Sequence, residues 1–204
     1  MIDARRKELL AFCVLLYMQK EKAKERVILG IDPGTVVMGY GVIKESGKKI
    51  GLQTLGVIKM GHLDDHGLKL QRIFKKTLAL IEEYQPDCVA LEAPFYGKNI
   101  QVMLKLGRAQ GVAMAAALSR DIPIFEYSPR KIKQSVTGSG SASKEQVAAM
   151  LQTLLNFKET PEFLDATDGL AVAVCHSFQQ NTSAGSKSYS GWSAFVKDNQ
   201  SRVR

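Results

Sequence analysis

The sequence has few of the residues that mark exported, disulfide-linked or membrane proteins. Its 204 residues include only three cysteines and a single tryptophan. The cysteines are far apart and form no CxxC pair, which argues against a disulfide framework and is typical of a reducing compartment. No apolar run approaches the ~20 residues that a membrane-spanning helix needs. These absences predict a cytoplasmic protein with no membrane segment.

Both ends of the chain differ from its middle. Basic residues precede the apolar run Leu9–Met18, but no small-residue cleavage site follows, so a secretion signal is not favoured. Residues 1–26 are interpreted as an N-terminal extension, either helical or the product of a start assigned too far upstream. Residues 181–204 contain six serines and are typical of a polar, disordered tail. The segment 27–180 is left as one globular domain.

Positive charge is in excess, and it is unevenly placed. The formal net charge is +8, and the two ends contribute much of it. Inside the domain, residues 93–144 hold eight basic residues against two acidic ones. Such a segment can attract a polyanion such as nucleic acid. A solvated surface would produce the same composition, so charge alone leaves the partner open.

Short apolar runs alternate with helical periodicity along the domain. The run VILGID at 27–32 is typical of a buried strand, and the turn signal Ser46-Gly47 predicts a hairpin next to it. Ser143 and Gln146 fit a helix-capping box. Strands are predicted at 27–32, 37–45, 50–60, 88–92 and 122–127, and helices at 66–84, 99–119, from about 129, at 143–156 and at 160–178. This order predicts an α/β domain with a mixed sheet.

Four carboxylates stand where acidic side chains are costly. Asp32 and Glu92 each close an apolar strand, and Asp165 and Asp168 share one face of the opening turns of the last helix. Strand ends and a helix start can meet in one crevice, where the carboxylates would repel one another unless cations hold them. Hard oxygen ligands select Mg²⁺ or Mn²⁺, and two such ions suit attack on a phosphodiester. Taken singly, each acid also fits a turn, a strand end or a helix-dipole role.

Four segments occur in an order that resembles a known family. IDPGT, LEAPF, KQSVTGSGSASKEQV and DATDGLAVAVCH together resemble the RuvC-type Holliday-junction resolvases over about residues 27–178. The resemblance implies a ribonuclease-H-like fold with a mixed five-stranded sheet flanked by helices, and a homodimer that nicks two opposing strands of four-way junction DNA. It places the metal-binding acids on Asp32, Glu92, Asp165 and Asp168, with Mg²⁺ as cofactor. It also implies the branch-migration proteins RuvA and RuvB as partners.

The same resemblance assigns roles to basic and aromatic residues. Lys133 and Lys144 fall on two functionally important lysine positions, where phosphate binding or charge stabilisation is the natural role. Arg130 and Lys131 are expected to add DNA-backbone contacts. Phe95 matches the family's aromatic that stacks on an unpaired base. Surface solubility for the lysines and burial in the core for Phe95 are the alternative interpretations.

A Gly-x-x-x-Gly pattern lies in the helix predicted at 99–119. Gly107 and Gly111 indicate close helix packing, against either the sheet or a second subunit.

Three other functions are alternatives. IDPGT also resembles the phosphate loop of actin-like ATPases and sugar kinases, but 204 residues are too few for the two domains that those proteins need. Another ribonuclease-H-like nuclease, acting on RNA or other branched DNA, is a closer alternative. A junction-binding protein without catalysis is disfavoured by the four acids.

Overall fold

A computed structural model describes residues 25–47, 49–94, 99–157 and 164–183 of the chain. The predicted extension before residue 25, the part of the predicted 181–204 tail that follows residue 183, and Phe95 lie outside the described residues. The last helix continues to Ser183, three residues into the segment predicted as a disordered tail. The elements in chain order are β1 Glu25–Asp32, β2 Val37–Ser46, β3 Lys49–Lys59, α1 His66–Tyr84, β4 Cys88–Glu92, α2 Ile100–Leu118, β5 Ile124–Tyr127, α3 Pro129–Thr137, α4 Lys144–Leu155 and α5 Leu164–Ser183.

The five strands form one mixed sheet in the order β3-β2-β1-β4-β5. Strand β2 is antiparallel to both β1 and β3, whereas β1, β4 and β5 are parallel. The predicted α/β fold with a mixed five-stranded sheet is therefore confirmed. Strand β1 starts at Glu25, two residues before the predicted start, because Glu25 and Arg26 form ion pairs with Lys44 and Glu45 of β2.

Local signals fix the helix starts that the sequence predicted. Ser143 and Gln146 form a complete capping box at the start of α4, which satisfies two backbone groups reciprocally. Ser128 caps α3 and is followed by Pro129 in the first helical turn, where proline is well tolerated. Helix α4 ends where Asn156 adopts a left-handed conformation with φ of 50°.

Each face of the sheet packs against its own layer of helices. On one face α3, α4 and α5 enclose a core that includes Ile28, Ala90 and Leu170. On the other, α1 and α2 enclose a core around Leu29 and Leu91. Within the described residues, no helix is both long enough and apolar enough to cross a membrane.

Candidate active site

The alternation of side chains along two strands brings two acids together. In β1, Ile28 belongs to the core on the α5 face, while Leu29 and Ile31 belong to the opposite core. A period of two therefore places Asp32, the last residue of β1, on the α5 face. The same alternation in the parallel neighbour β4 places Glu92 there as well. Both carboxylates thus project from the carboxyl ends of adjacent strands toward α5.

Glycines let the backbone of α5 rest directly on the sheet. Gly39 pairs with Asp32 across β1 and β2, and a β-carbon at Gly39 would lie 1.7 Å from the main-chain oxygen of Asp165. A β-carbon at Gly169 would lie 2.5 Å from Cα of Tyr40. Neither position has room for a side chain. This close approach carries the first turn of α5, with its two acids, to the end of β1.

The structure brings the predicted acids and lysines to one small cavity. It has a volume of about 200 Å³, and its polar lining comes from Asp32, Glu92, Lys133, Lys144 and Asp168. Pro129, Ile132, Val147 and Ala171 supply the apolar walls. Asp165 lies outside this lining, but one of its oxygens is 3.1 Å from Nζ of Lys144. All six predicted catalytic residues therefore converge on this end of the sheet.

Burial and mutual repulsion make two of these acids difficult to ionise. Burial, with the nearby Asp168 carboxylate, raises the pKa of Asp32 from 3.8 to about 7. Burial, with the carboxylates of Asp32 and Asp168, raises the pKa of Glu92 from 4.5 to about 8. Carboxylates shifted in this way favour either a proton or a nearby cation. A cluster of this kind in a cleft is characteristic of a functional site.

Lys144 supplies a positive charge inside this cluster. Its ammonium donates hydrogen bonds to Asp165 and Asp168, which are one helical turn apart on α5. Burial alone would lower the pKa of Lys144, but the hydrogen bonds and charge of Asp168 and Asp165 raise it above its ordinary value. Lys144 therefore stays charged and partly neutralises the acids.

The donor set matches a divalent metal ion in its chemistry. Carboxylate oxygens without histidine or cysteine are the ligands of Mg²⁺ and Mn²⁺, and a cation would relieve the repulsion that raises the pKa of Asp32 and Glu92. In the described part of the chain, no three potential ligands are close enough to form a metal site as they stand.

The two other predicted DNA contacts lie on α3, outside the cavity. Arg130 and Lys131 are both exposed. The stem of Arg130 lies against the glycine-serine loop, since a β-carbon at Gly140 would come within 2.6 Å of Arg130 Cγ. A further cavity of about 180 Å³ adjoins the site and is lined by Asp32, Glu92, Pro94 and Leu106, among others.

Sequence reasoning missed two features that position the acids. One is the close main-chain contact at Gly39 and Gly169. The only signal for it in the sequence was the apolar character of β2 and α5, which indicated that these two elements could pack together. The other is Gln110 of α2, which is 6% exposed. Its side-chain amide donates to the main-chain oxygen of Glu92 at 3.5 Å and to the Glu126 carboxylate. A lone glutamine on the buried face of an alanine-rich helix was the available signal.

The raised pKa of Glu92 leads to a prediction about stability in the absence of metal. Ionised Glu92 is disfavoured in the folded state, so wild type loses stability as pH rises from about 4.5 to about 8. Glu92→Gln removes that cost and, allowing for partial solvation, should raise the free energy of unfolding at pH 8.5 by on the order of 2 kcal/mol. Urea unfolding in EDTA at both ends of this pH range measures the difference.

The advantage of Glu92→Gln should shrink to about 0.2 kcal/mol at pH 4, where the carboxyl is protonated in the folded chain and mostly protonated in the unfolded chain. Glu82→Gln, which removes an exposed carboxylate paired with Arg120, is the matched control and should follow wild type. A constant difference across the whole pH range would contradict the electrostatic origin of the effect.

Sheet order and carboxylate cluster together define the class of protein. The fold is ribonuclease-H-like. Acids at the carboxyl ends of its central strands are typical of a nuclease that cleaves phosphodiesters with the help of metal ions. The family model described as crossover junction endodeoxyribonuclease RuvC matches residues 28–176, and the chain belongs to this family. It is therefore a hydrolase, an endodeoxyribonuclease that acts on crossover junctions. Membership of this family is consistent with use of a divalent metal.

Individual relatives agree over most of the chain. A crossover junction endodeoxyribonuclease RuvC from Cytophaga hutchinsonii is 58% identical over 183 residues, covering 90% of each chain. One from Christiangramia forsetii is 57% identical over 180 residues, covering 88% of this chain and 94% of its own. Thermus thermophilus RuvC, solved in complex with a Holliday junction substrate, superposes with a TM-score of 0.72 at 32% identity. That match covers 78% of this chain and 96% of the other.

Proposed function

We propose that the protein resolves four-way junction DNA by paired symmetric nicks, with Mg²⁺ or Mn²⁺ held by Asp32, Glu92, Asp165 and Asp168. The observation that carries the proposal is the cavity where Asp32, Glu92 and Asp168 meet two lysines, with Asp165 paired to one of these lysines beside it. It supplies both the ligands for a hard cation and fixed positive charge for a phosphate. The sequence relatives named as crossover junction endodeoxyribonucleases support the same substrate for this chain.

Each part of the cavity has a role in this proposal. Two bound Mg²⁺ ions would supply an activated water and stabilisation of the leaving 3′-oxygen, which yields 5′-phosphate and 3′-hydroxyl ends. Lys133 is half-buried at the cavity wall, where its ammonium would bind the scissile phosphate. The Lys144 ammonium, exposed on one side, can neutralise Asp165 and Asp168 or bind a phosphate oxygen.

The remaining predicted DNA contacts fit around this centre. Arg130 and Lys131 are exposed on α3, the helix that also carries Lys133 to the cavity. Their side chains are proposed to bind the DNA backbone near the cut phosphate, independently of sequence. Phe95 follows Glu92 by three residues and is proposed to stack on a base unpaired at the junction.

An exposed apolar stripe on α2 supports the homodimer. Ile100, Leu104 and Leu118 are 72%, 50% and 55% exposed, and a β-carbon at Gly107 or Gly111 would meet nothing within 4 Å among the described residues. The predicted close packing of this glycine pair is thus not made against the sheet. We infer that a second copy covers the stripe, which gives a two-fold assembly with two active sites for a two-fold substrate.

Gly107→Arg tests the dimer, because the open space around Gly107 lets the fold accept a long side chain. We expect sedimentation to show a monomer and junction cleavage to give single nicks in place of paired ones. Gln101→Arg places the same charge on another exposed face of α2 and should stay dimeric. A Gly107→Arg protein that sediments as a dimer would rule out this stripe as the interface.

Two broader proposals follow from family membership. RuvA and RuvB, the branch-migration proteins, are the proposed partners, because branch migration would move the junction to the position at which this protein cuts it. The proposed compartment is the cytoplasm, where the free, buried thiols of Cys88 and Cys175 would remain reduced.

Cleavage of a synthetic four-way junction tests the proposed function directly. Linear duplex DNA and an RNA–DNA hybrid of the same sequence serve as competing substrates. We expect paired nicks on the junction alone in Mg²⁺ and no cleavage in EDTA. Because members of such a fold can prefer particular sequences, both immobile and mobile junctions are included. Preferential cutting of the hybrid would instead make the protein a ribonuclease.

A further inference from the structure

Helix α1 carries an unassigned basic surface on the sheet face opposite α5. We define the α1 surface as Lys59, Lys69, Arg72, Lys75 and Lys76. Two adjoining cavities of about 350 and 480 Å³ run along it and share Arg72, Lys76 and Ala79. The first lies between α1 and the end of β3, and the second runs beside Leu63 and Leu68.

The four cations on α1 form no ion pairs with acids in the described part of the chain. None of the ion pairs in the described ranges involves Lys69, Arg72, Lys75 or Lys76, and Nε of Arg72 has no hydrogen-bond partner there. The carboxylates of α1, Glu82 and Glu83, are confined to its last turn. At the start of the helix, Asp65 uses its carboxylate to cap Leu68 N, and Asp64 is exposed.

This surface begins at the same end of the sheet as the catalytic acids. Lys59, the last residue of β3, pairs with Val37 at the start of β2, and Gly39 of β2 pairs with Asp32. The chain then turns beside the loop that follows Asp32, with Met60 N donating to Val36 O at 2.8 Å. From there α1 runs back across the opposite face. The α1 surface therefore extends away from the cleavage site.

We propose that the α1 surface binds the sugar–phosphate backbone of one duplex arm of the branched substrate, remote from the phosphate that is cut. This rests on the proposed function. Lys69, Arg72 and Lys76 lie at i, i+3 and i+7 on one helix face, about 5–6 Å apart at each step, so they form a row that can follow a phosphate backbone. Such contacts are independent of sequence and add affinity through counterion release.

A duplex arm explains the surface better than an apolar peptide. Among the described residues that line the two cavities, cations outnumber acids, and Glu83 is the only acid. This is the charge pattern that a polyanion requires. The position also agrees with the geometry of the substrate, because arms leave a junction from its exchange point and must pass over the flanks of a protein that cuts there. Leu63 and Leu68 offer some apolar contact, which makes a protein segment the competing occupant.

The experiment uses the full chain and junctions with two arm lengths. One junction has arms shorter than a helical turn of DNA, and the other has arms of two to three turns. The test variant is Lys69→Gln, Lys75→Gln and Lys76→Gln combined. The control variant, Lys44→Gln, Lys49→Gln and Arg120→Gln combined, removes the same charge at positions outside the α1 surface. Affinity is measured by fluorescence anisotropy against salt concentration in Ca²⁺, and cleavage is measured in Mg²⁺.

On the long-armed junction we expect the test variant to bind about tenfold more weakly than wild type, with a slope of log K against log salt that is smaller by roughly two to three. It should bind and cut the short-armed junction as wild type does, and the control variant should match wild type on both. Equal slopes for the test variant and wild type, or equal losses on both arm lengths, would overturn the proposal. A wild-type protein that fails to cut either junction would instead refute the proposed function.

Discussion

Asp168→Asn should reduce junction cleavage by at least about a thousandfold, because a carboxylate that helps to hold a catalytic cation contributes several kcal/mol to transition-state stabilisation. The change keeps the size of the side chain and removes its charge. Asp168 lines the cavity and is paired with Lys144, so it lies at the centre of the proposed site. Single-turnover cleavage in Mg²⁺ measures the loss.

Junction binding should survive this substitution within a few-fold. Lys144 keeps its ion pair with Asp165 at 3.1 Å, so the local fold is retained. When binding is measured in EDTA, where no cation is held, the removal of a negative charge near a phosphate favours attraction to DNA. Asp64→Asn, in an exposed position outside the site, is the matched control and should cut as wild type does. A parallel loss of binding and cleavage in Asp168→Asn would make this residue structural and refute its catalytic assignment.

Gly39→Ala is expected to have the largest effect on stability. The added methyl would lie 1.7 Å from the Asp165 main-chain oxygen, and since that atom belongs to a helix backbone it cannot move without displacing α5. Overpacking against an immovable neighbour costs about 3 kcal/mol or more. Chemical denaturation followed by circular dichroism should show this decrease in the free energy of unfolding.

Gly51→Ala is the matched control, because Gly51 also lies in a strand and a β-carbon there would come no closer than 3.9 Å to any neighbour. It should be neutral or slightly stabilising. If enough Gly39→Ala protein folds for assay, its cleavage rate should also fall, since a displaced α5 carries Asp165 and Asp168 away from Asp32. Unchanged stability in Gly39→Ala would show that α5 does not rest on the sheet as described.

Local patterns predicted most of the elements and their order. Apolar runs located all five strands, and the Ser143 capping box located the start of α4, because these signals depend on residues close in sequence. The position of Asp32 and Glu92 at the ends of two apolar strands also predicted that the two acids could meet in one crevice. The raised pKa of both acids depends on burial and on neighbours from α5, and no local pattern contains that information.

The contacts that assemble the site could not be predicted in the same way. Lys144 meets Asp165 and Asp168 across more than twenty positions of the chain, and only the completed fold defines that meeting. Glycines such as Gly39 resemble ordinary strand or turn residues until a helix is placed against them. The basic residues of α1 can be read from the sequence. Whether they form ion pairs depends on which acids the fold brings near them.

Where two main chains are in direct contact, no change of side-chain rotamer can alter the distance between them. Where α5 meets β1 and β2, Gly30, Gly39, Gly41 and Gly169 leave backbone facing backbone, so the spacing between helix and sheet is set by van der Waals contact between main-chain atoms. Sites borne on such rigid elements hold their groups more accurately than sites on loops. Mutations on the exposed surface of the domain should therefore leave the separation of Asp165 and Asp168 from Asp32 unchanged. The nuclease can accumulate surface variation without losing the alignment on which its chemistry depends.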